Sequence, residues 1–438
     1  MGSPGPHFAF DFADALAEAL PMQNTSGNIQ IQAAAIIEAQ LEKGLFPDRL
    51  LESVQERHGL LMEIVYGAVR WRASLDWMIR ELAPKPPALR LRALLLTSLY
   101  RLLYMNSAKP YFVVNECVEA ARSAGAEKAA RFVNAVLRSA LRRRKELLSG
   151  VVKQKPTVRY SCPEILFSRW SDRWGPEKTI SLCKWNNRRA RTILYVASAL
   201  KTLQGDLLKK NIPATPHPYD PDHFLILPAG CAVRDLPGYN DGLFTVQDPA
   251  TALAVRMLDP KPGENILDAC AAPGGKAMMI AGAMGRQGSL TAMEIYPERM
   301  ERLKQNIDRT DKSFITVLPG DAKTSPRDAA FDGILLDVPC SNTGVIRRRP
   351  DAKWRFSENR IGELTKTQRA ILNHQAELVK PGGRMVYSTC SLEPEENEIM
   401  VKDFLDAHTD FKLADSRLLF PPESGTDGAY AARLVRNP

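Results

Sequence analysis

The first part of the chain repeats apolar residues at intervals of three and four positions, the spacing that lines one face of a helix. The segments with this spacing are 60–69, 89–103 and 129–141. Prolines, among them Pro84 and Pro110, separate these segments from one another. Residues 29–145 show no strand-like alternation. We therefore predict an all-helical bundle with its own core over residues 1–150.

The pattern changes after about residue 150. A short helical region carries three tryptophans, and the apolar runs 192–196 and 223–227 are typical of strands. A polar, basic turn lies between the helical region and the first of these runs. The sequence therefore predicts a small α+β module over residues 151–235.

From about Leu236 onward, strand-like runs alternate with glycine-containing loops and helical segments. The strand-like runs are 265–270, 289–294, 314–318, 334–337 and 384–388. Such alternation predicts a mostly parallel sheet with helices on both faces, and ligands of such sheets bind at the carboxyl ends of the strands. We therefore predict a multidomain protein that ends in a Rossmann-like α/β domain over residues 236–438.

The net charge, the cysteines and the apolar stretches limit the partners and the location that we expect for this protein. Its 438 residues carry a formal net charge of +9, which favours polyanions and nucleic acid first. The seven cysteines form no CxxC pair and the six histidines form no cluster, so we expect reduced thiols and no metal site. The most apolar stretch, 89–105, contains three arginines, and the N-terminus lacks the basic start of a signal peptide. We expect a cytoplasmic protein without a membrane segment.

A Pro-Gly-Gly turn follows the first strand of the predicted α/β domain. Asp268 closes that strand, and Gly274 and Gly275 let the backbone pass close to a ligand because they carry no Cβ. Glu294, at the end of the second strand, could accept hydrogen bonds from ribose hydroxyls, and Asp321 could hold an adenine amino group. The dinucleotide fingerprint G-x-G-x-x-G is missing. These residues predict a site for an adenosine-containing ligand, without choosing between S-adenosylmethionine and NAD.

Two cysteines lie in small polar loops just beyond the fourth and fifth strands. Cys340 follows Asp337 by three residues, and Cys390 follows the last strand. A thiolate that adds to carbon 6 of cytosine makes carbon 5 nucleophilic, and Asp337 is placed to stabilise the charge that develops on the base. A second thiol could assist the final elimination. This arrangement predicts methylation of carbon 5 of cytosine, and the chemistry alone leaves open which cysteine attacks.

From about Gly242 to the C-terminus, the sequence resembles the RNA cytosine-C5 methyltransferase family. The segments that carry the resemblance are 268–276, 337–345 and 387–397. The resemblance implies a class I methyltransferase that uses S-adenosyl-L-methionine. It also implies that Cys390 is the nucleophile, that Cys340 aids product release and that Asp337 positions the base.

The same resemblance implies which residues line the cofactor site. They are Cys270, Ala271, Ala272, Pro273, Gly274, Gly275, Lys276, Glu294, Asp321 and Asp337. The sequence departs from the family pattern at three places. Glu294 stands where aspartate is more common, Asn342 replaces a small residue beside Cys340, and residues 427–430 are a weaker version of the family's aromatic ending.

The helical part resembles RNA-binding domains of the NusB type at residues 63–70 and 134–138. The combination of these two parts in one chain is similar to a bacterial branch of the family that modifies a cytosine in 16S rRNA. They imply small-subunit rRNA as the substrate, either free or in a precursor particle. We expect the protein to act as a monomer.

Two basic clusters are candidates for contact with RNA phosphates. The first is the run of Arg347, Arg348, Arg349, Lys353 and Arg355, directly after the Asp337 loop. Trp354 lies within this run, where it could stack on RNA or anchor its own loop. The second cluster, residues 138–145 at the end of the helical part, is the weaker candidate because a terminal basic cluster is usually a solvated face.

Three other classes of function compete with this interpretation. A non-catalytic RNA-binding or ribosome-assembly protein would not need Asp337, Cys340 and Cys390 together. A NAD-linked oxidoreductase is disfavoured by the missing dinucleotide fingerprint. A DNA cytosine methyltransferase would use the cysteine of the Pro-Cys loop, which is Cys340 in this chain.

Overall fold

A computed structural model of the protein describes residues 28–52, 54, 58–105, 109–123, 127–325 and 330–438. The chain divides into two compact units. The first unit comprises the described residues up to Asn187 together with Arg349–Arg355, and the second comprises Arg188–Arg348 and Phe356–Pro438. The boundary near residue 187 falls inside the segment 151–235, and the division into three domains stays a prediction.

The first unit consists mainly of helices in its described residues, as predicted. They are α1 (Ile29–Lys43), α2 (Pro47–Glu52), α3 (His58–Arg70), α4 (Arg72–Leu82), α5 (Leu89–Tyr104), α6 (Pro110–Ser123), α7 (Glu127–Arg142), α8 (Arg144–Val152), α9 (Pro156–Arg159) and α10 (Glu164–Asn186). A kink divides α10 at Gly175, where the φ of 81° is non-helical and the next residue is Pro176.

Helix α5 lies at the centre of the first unit. It packs against α1, α3, α6 and α7, and its residues 93–103 are all buried. A helix that is apolar on every side needs neighbours on every side, so this segment becomes a core helix. Its buried Arg101 donates hydrogen bonds to Gln30 Oε1 at 2.8 Å and to Glu116 Oε2 at 2.6 Å, which compensates the charge.

The second unit contains two sheets. Its elements are β1 (Ile193–Tyr195), α11 (Leu200–Lys209), β2 (Thr215–His217), β3 (Asp220–Ile226), β4 (Thr245–Val246), α12 (Ala252–Leu258), β5 (Asn265–Asp268), α13 (Gly275–Met284), β6 (Ser289–Glu294), α14 (Pro297–Arg309), β7 (Ile315–Pro319), β8 (Phe331–Asp337), α15 (Glu358–Ala376), β9 (Val379–Thr389), α16 (Glu398–Ala407), β10 (Phe411–Leu419), α17 (Pro421–Ser424) and β11 (Ala429–Arg436). The smaller sheet is antiparallel, with strand order β2-β3-β1-β4.

The larger sheet has seven strands in the order β10-β11-β9-β8-β5-β6-β7. Strands β5 to β9 run parallel, and β11 is antiparallel to both of its neighbours. From β5 the chain moves first to β6 and β7 on one side and then to β8 and β9 on the other. Such a reversal opens a crevice at the carboxyl ends of the strands. This confirms the predicted Rossmann-like domain, and the location of a ligand site at this edge stays a prediction.

Helices cover both faces of the larger sheet. Successive residues of a strand point to opposite faces, so Ile266 packs with α12 and α13 while Leu267 packs with α15 and α16. Both residues are buried, as expected for a central parallel strand. The two layers of helices hold the sheet rigidly and fix the positions of the loops at its carboxyl edge.

Candidate active site

Five parallel strands bring acidic and thiol side chains to one edge of the larger sheet. Strand β5 ends at Asp268, β6 ends at Glu294 and β8 ends at Asp337. Strand β9 ends one residue before Cys390, and Asp321 lies two residues past the end of β7. Asp268 was expected only to close its strand, whereas the others were predicted as site residues; the topology places all of them on neighbouring strands.

The loop between β5 and α13 is a tight turn. The N–H of Ala271 donates to the carbonyl of Met293 at 2.9 Å, and the N–H of Gly274 donates to the carbonyl of Ala271 at 2.7 Å. Gly274 has a φ of 104°, which favours glycine. A Cβ on Gly275 would lie 2.9 Å from the side-chain amide carbon of Gln247. Gly274 is therefore required for the backbone to follow this path at the sheet edge, and a side chain at Gly275 would displace the Gln247 amide.

The residues that lead into this turn take the predicted positions. Ala271 and Ala272 are buried, and Cys270 is partly buried. Burial, reinforced by the nearby Asp268, raises the pKa of the Cys270 thiol. A thiol that stays protonated is a poor nucleophile, so Cys270 is suited to line a site but not to attack.

The carboxylate of Glu294 is buried and held in place. Its Oε1 accepts hydrogen bonds from the backbone N–H groups of Ile295 and Tyr296, both at 3.1 Å. Its Oε2 lies 3.5 Å from Arg299 Nη1. The carboxylate therefore has a fixed orientation, with one oxygen only loosely engaged.

Asp268, Lys276 and Asp337 form a charged cluster where β5 and β8 end. Lys276 Nζ donates to Asp337 Oδ2 at 2.6 Å, and Ser388 Oγ donates to Asp337 Oδ1 at 3.1 Å. Asp268 is buried, and within the described ranges neither of its carboxylate oxygens has a side-chain hydrogen-bond partner. Burial and the charge of Asp337 raise the pKa of Asp268 to about 7. A buried carboxyl group without a side-chain partner is costly, which makes Asp268 a candidate ligand contact.

The two predicted cysteines are in direct contact. Cys340 Sγ and Cys390 Sγ lie 3.1 Å apart, although 50 residues separate them in the sequence. The hydrogen bond with Cys390 and burial raise the pKa of Cys340 well above its usual value. Cys340 is buried, whereas Cys390 is partly exposed. One thiol is thus shielded and held neutral, and the other is accessible.

Asn342 contacts both cysteines. Its Oδ1 accepts a hydrogen bond from Cys390 Sγ at 3.1 Å, and its Nδ2 donates to the carbonyl of Cys340 at 2.9 Å. Its φ of 63° is left-handed, a conformation that asparagine tolerates better than most residues. The position that departs from the family pattern therefore lies within the candidate site.

Sequence reasoning missed Glu396. It is buried and accepts hydrogen bonds from Ser341, Ser391 and Gln368. The sequence contains two successive glutamates at this point, and no local signal distinguishes Glu396 from the less buried Glu395.

The expectation that the basic run after Asp337 contacts phosphate is wrong for its first two residues. Arg347 lies 3.2 Å from Asp427 and 3.5 Å from Asp248, and Arg348 lies 2.8 Å from Asp248 and also pairs with Asp427. Both aspartates are buried. The two arginines therefore neutralise buried carboxylates of their own unit, and Arg347 is itself buried, whereas 28% of the Arg348 side chain is exposed.

The later residues of the run belong to the first unit. Lys353 is buried and donates to the carbonyl of Arg70 at 2.7 Å, and Arg355 pairs with Asp351 at 2.8 Å. Trp354 Nε1 donates to the carbonyl of Val69 at 2.8 Å. Of the two alternatives for Trp354, the structure supports the anchor. Among the four arginines of the basic run, Arg349 has the most exposed side chain, at 53%.

The part of the chain that the structure describes, residues 28–52, 54, 58–105, 109–123, 127–325 and 330–438, shows neither a membrane-spanning helix nor a metal cluster. No helix there is both long and apolar enough to cross a membrane. No group of three or more histidine, cysteine, aspartate or glutamate side chains is arranged to hold a metal ion.

Comparison with known proteins agrees with this geometry. The family model described as 16S rRNA methyltransferase RsmB/F matches residues 255–435, and the NusB family model matches residues 27–142. A ribosomal RNA small subunit methyltransferase B from Yersinia enterocolitica is 36% identical over 95% of this chain and 100% of its own length. A probable enzyme of the same name from Synechocystis is 34% identical over 80% of this chain and 81% of its own.

Solved structures show the same fold. The crystal structure of PH0851 has a TM-score of 0.77 at 26% identity and covers 93% of this chain and 98% of its own. A methyltransferase homolog from Pyrococcus horikoshii has a TM-score of 0.57 at 26% identity and covers 64% of this chain and 97% of its own.

The sheet order, the glycine turn and the acidic strand ends define a Rossmann-like methyltransferase. The identity to full-length relatives then makes the assignment specific. The chain belongs to the ribosomal RNA small subunit methyltransferase B family. The resemblance that the sequence motifs predicted is confirmed.

Proposed function

We propose that this protein methylates carbon 5 of a cytosine in 16S rRNA through a transient bond between Cys390 and carbon 6 of the base. The observation that carries this proposal is the pair of thiols, Cys340 and Cys390, 3.1 Å apart where β8 and β9 end. The substrate class rests on the family, whose matching model is described as a 16S rRNA methyltransferase. The chemistry rests on the two thiols and the adjacent Asp337.

S-adenosylmethionine is the cofactor that these residues fit. The glycine turn before α13 lets the backbone pass close to a ligand, and Asp268 offers a buried carboxyl group without a side-chain partner in the described residues. Glu294 could accept hydrogen bonds from the ribose hydroxyls, and Asp321 could hold the adenine amino group. When bound, this cofactor supplies an electrophilic methyl group. The other residues that we assign to the cofactor site are Cys270, Ala271, Ala272, Pro273, Gly274 and Lys276.

Cys390 is the better nucleophile of the two cysteines. It is partly exposed, whereas Cys340 is buried and its raised pKa keeps it protonated. Addition of the Cys390 sulfur forms a bond to carbon 6 and makes carbon 5 nucleophilic. After carbon 5 is methylated, it gives its proton to a base, the C5–C6 double bond forms again and the sulfur–carbon bond breaks. Cys340, a neutral thiol 3.1 Å from Cys390 Sγ, can protonate the departing sulfur and so assist this elimination.

Asp337 is suited to orient the base. The ammonium of Lys276 and the hydroxyl of Ser388 hold its two oxygens, so the carboxylate has a defined direction. A carboxylate so held can accept a hydrogen bond from the exocyclic amine of cytosine and lie beside N3, the groups whose charge changes during addition. Lys276 therefore connects the cofactor loop with the residue proposed to hold the base.

The target cytosine must leave its stack to reach Cys390, which costs a few kcal/mol and favours an unpaired base. Contact with the surrounding RNA is supported by the exposed Arg138, Arg142 and Lys145 near the end of the helical part. Arg143 and Arg144 are less available, because Arg143 pairs with Glu146 and Arg144 donates to the Leu103 carbonyl. This leaves α7 and the start of α8 as the basic surface of the first unit.

The test uses the full-length wild type, Cys390→Ala and Cys340→Ala, with labelled S-adenosylmethionine. Each is incubated with naked 16S rRNA and, separately, with immature small subunits. Mass spectrometry measures 5-methylcytosine, and a denaturing gel measures the protein–RNA adduct. Cys390→Ala should abolish both product and adduct, whereas Cys340→Ala should accumulate the adduct because elimination is slowed.

Each other outcome overturns a named part of the proposal. Adduct accumulation in Cys390→Ala and loss of adduct in Cys340→Ala would make Cys340 the nucleophile. No 5-methylcytosine from folded wild type on either substrate would favour a non-catalytic RNA-binding protein. Preference for competing DNA of the same sequence would favour a DNA methyltransferase.

A further inference from the structure

A buried carboxylate joins the two loops that carry the cysteines. Glu396 Oε1 accepts the backbone N–H of Ser341 at 2.9 Å, and Glu396 Oε2 accepts the hydroxyls of both Ser341 and Ser391. Ser341 directly follows Cys340, and Ser391 directly follows Cys390. One side chain is therefore bound to the residue after each thiol.

The cost of burying this carboxylate indicates a specific role. Glu396 is fully buried, and the groups that donate to its oxygens are uncharged. Besides the serines, Gln368 Nε2 donates to Glu396 Oε1 at 2.9 Å and to the Pro339 carbonyl at 2.9 Å. Neutral hydrogen bonds compensate a buried charge less fully than an ion pair would. Loss of any one of the donors to Glu396 should therefore disturb the position of its carboxylate.

The backbone of Glu396 is anchored independently of its carboxylate. Tyr387 on β9 donates its hydroxyl to the Glu396 carbonyl at 2.7 Å. The next residue, Asn397, accepts from Thr389 Oγ1 at 2.6 Å and donates to the Ser391 carbonyl at 3.0 Å. The turn is thus fixed to strand β9, and the carboxylate extends from it to the loop after β8.

We propose that Glu396 is a positioning residue that sets the separation of Cys340 and Cys390. The inference rests on the proposed function, because the separation matters only if both thiols act on one base. A displacement of about 1 Å in a reacting group can cost about 100-fold in rate. Without the carboxylate, Ser341 and Ser391 lose their common acceptor and the two loops are no longer joined through it. Direct hydrogen bonds between the loops remain: the Gly344 N–H donates to the Cys390 carbonyl at 2.9 Å, the Leu392 N–H donates to Thr343 Oγ1 at 2.8 Å, and Cys390 Sγ donates to Asn342 Oδ1 at 3.1 Å.

The test measures the distance between the thiols without using the methylation reaction. Full-length wild type, Glu396→Ala and Glu396→Gln are treated with diamide, which takes two electrons and two protons from a thiol pair, and the Cys340–Cys390 disulfide is quantified by peptide mass. The matched control is Glu398→Gln, two residues further along and exposed. Single-turnover methylation and adduct lifetime are measured on the same samples.

We expect Glu396→Ala to slow disulfide formation and single-turnover methylation each by about 10- to 100-fold. Glu396→Gln keeps one acceptor oxygen, and the serine hydroxyls can rotate, so it should recover much of both rates. Glu398→Gln should match the wild type. Unimpaired disulfide formation and methylation in folded Glu396→Ala would overturn the proposal.

General loosening of the fold is distinguished in two ways. Cys162 is buried and hydrogen-bonds to Cys183 in the first unit, so a globally destabilised variant would also oxidise this pair faster. If Glu396→Ala does not fold, Ser341→Ala and Ser391→Ala remove one donor each, and each should slow disulfide formation severalfold. Wild-type rates in both serine variants would then overturn the proposal. A wild type that forms the disulfide in a Glu396-dependent way but never methylates RNA would refute only the proposed function.

Discussion

Lys353 gives a direct test of the packing inside the first unit. Its side chain is buried, with 3% of its surface exposed, and its Nζ donates to the Arg70 carbonyl at 2.7 Å. Burial, together with the positive charges of Arg70 and Arg72, lowers its pKa to about 7. The fold therefore carries a lysine that changes its charge near neutral pH.

The sign of the effect on stability follows from the direction of this shift. A lysine in the unfolded chain has a pKa of about 10.4, so between about pH 7 and that value the unfolded state binds more protons than the folded state. Stability should therefore rise with pH over this interval. One pKa unit is worth about 1.4 kcal/mol, and from about pH 6 to about pH 9 this single group should contribute roughly 2–3 kcal/mol of added stability.

The assay is native-state hydrogen exchange of wild type and Lys353→Met, followed in peptides from α3 and α5. Comparing the two proteins at the same pH removes the intrinsic pH dependence of exchange. From about pH 6 to about pH 9, protection in the wild type should rise relative to the variant by roughly 30- to 100-fold. Lys145→Met changes an exposed lysine of the same unit and should show no such trend. A constant ratio of Lys353→Met to wild type across the range would mean that Lys353 does not titrate in the fold and would refute the reasoning.

Three further predictions concern the candidate site. Lys276→Met removes the positive charge that lowers the pKa of Asp268. The pH at which S-adenosylmethionine binding strengthens should therefore move upward from about 7, as measured by calorimetry across pH. An unchanged midpoint would contradict the role of Asp268. Glu294→Ala should weaken cofactor binding by about 10- to 100-fold, because hydrogen bonds to a charged group contribute about 1.5–3 kcal/mol, while the exposed Glu298→Gln should bind normally. Asn342→Gly keeps the left-handed backbone but removes the contact with Cys390. Single-turnover methylation should fall about fivefold, as expected for the loss of one hydrogen bond of about 1 kcal/mol. A wild-type rate would show that this contact is dispensable.

The parallel strands could be predicted from the sequence because most of them are buried runs with a candidate site residue at or just past the carboxyl end. Strand β7 is the exception in burial, since three of its five residues are exposed. Strand β10 could not be predicted in this way. Most of its residues, 412–417, are exposed, and it holds its place through backbone pairing with β11 at the edge of the sheet. Edge strands of this kind have little apolar alternation, so their sequences resemble loops.

The basic run after Asp337 was misread for a different reason. Its local composition is that of a phosphate-binding loop, and proximity to the reacting residues favoured that interpretation. The partners of Arg348 are Asp248, 100 positions earlier, and Asp427, 79 positions later. A charge run shows its role only when the positions of distant carboxylates are known, and these depend on the tertiary fold.

The contact between the thiols depends on strand register, which explains why the sequence predicted the participants of the site but not its geometry. Strands β8 and β9 pair with Asp337 opposite Ser388, so Cys340 lies three residues past that pair and Cys390 lies two residues past it. A slip of one residue would move one loop by about 3.3 Å along the strand and turn its side chains to the other face. Register in the sheet therefore brings the two loops together, but it cannot determine side-chain positions several residues beyond the last backbone hydrogen bonds. A non-local contact is needed there, and the buried carboxylate of Glu396, bound to the residue after each cysteine, supplies one.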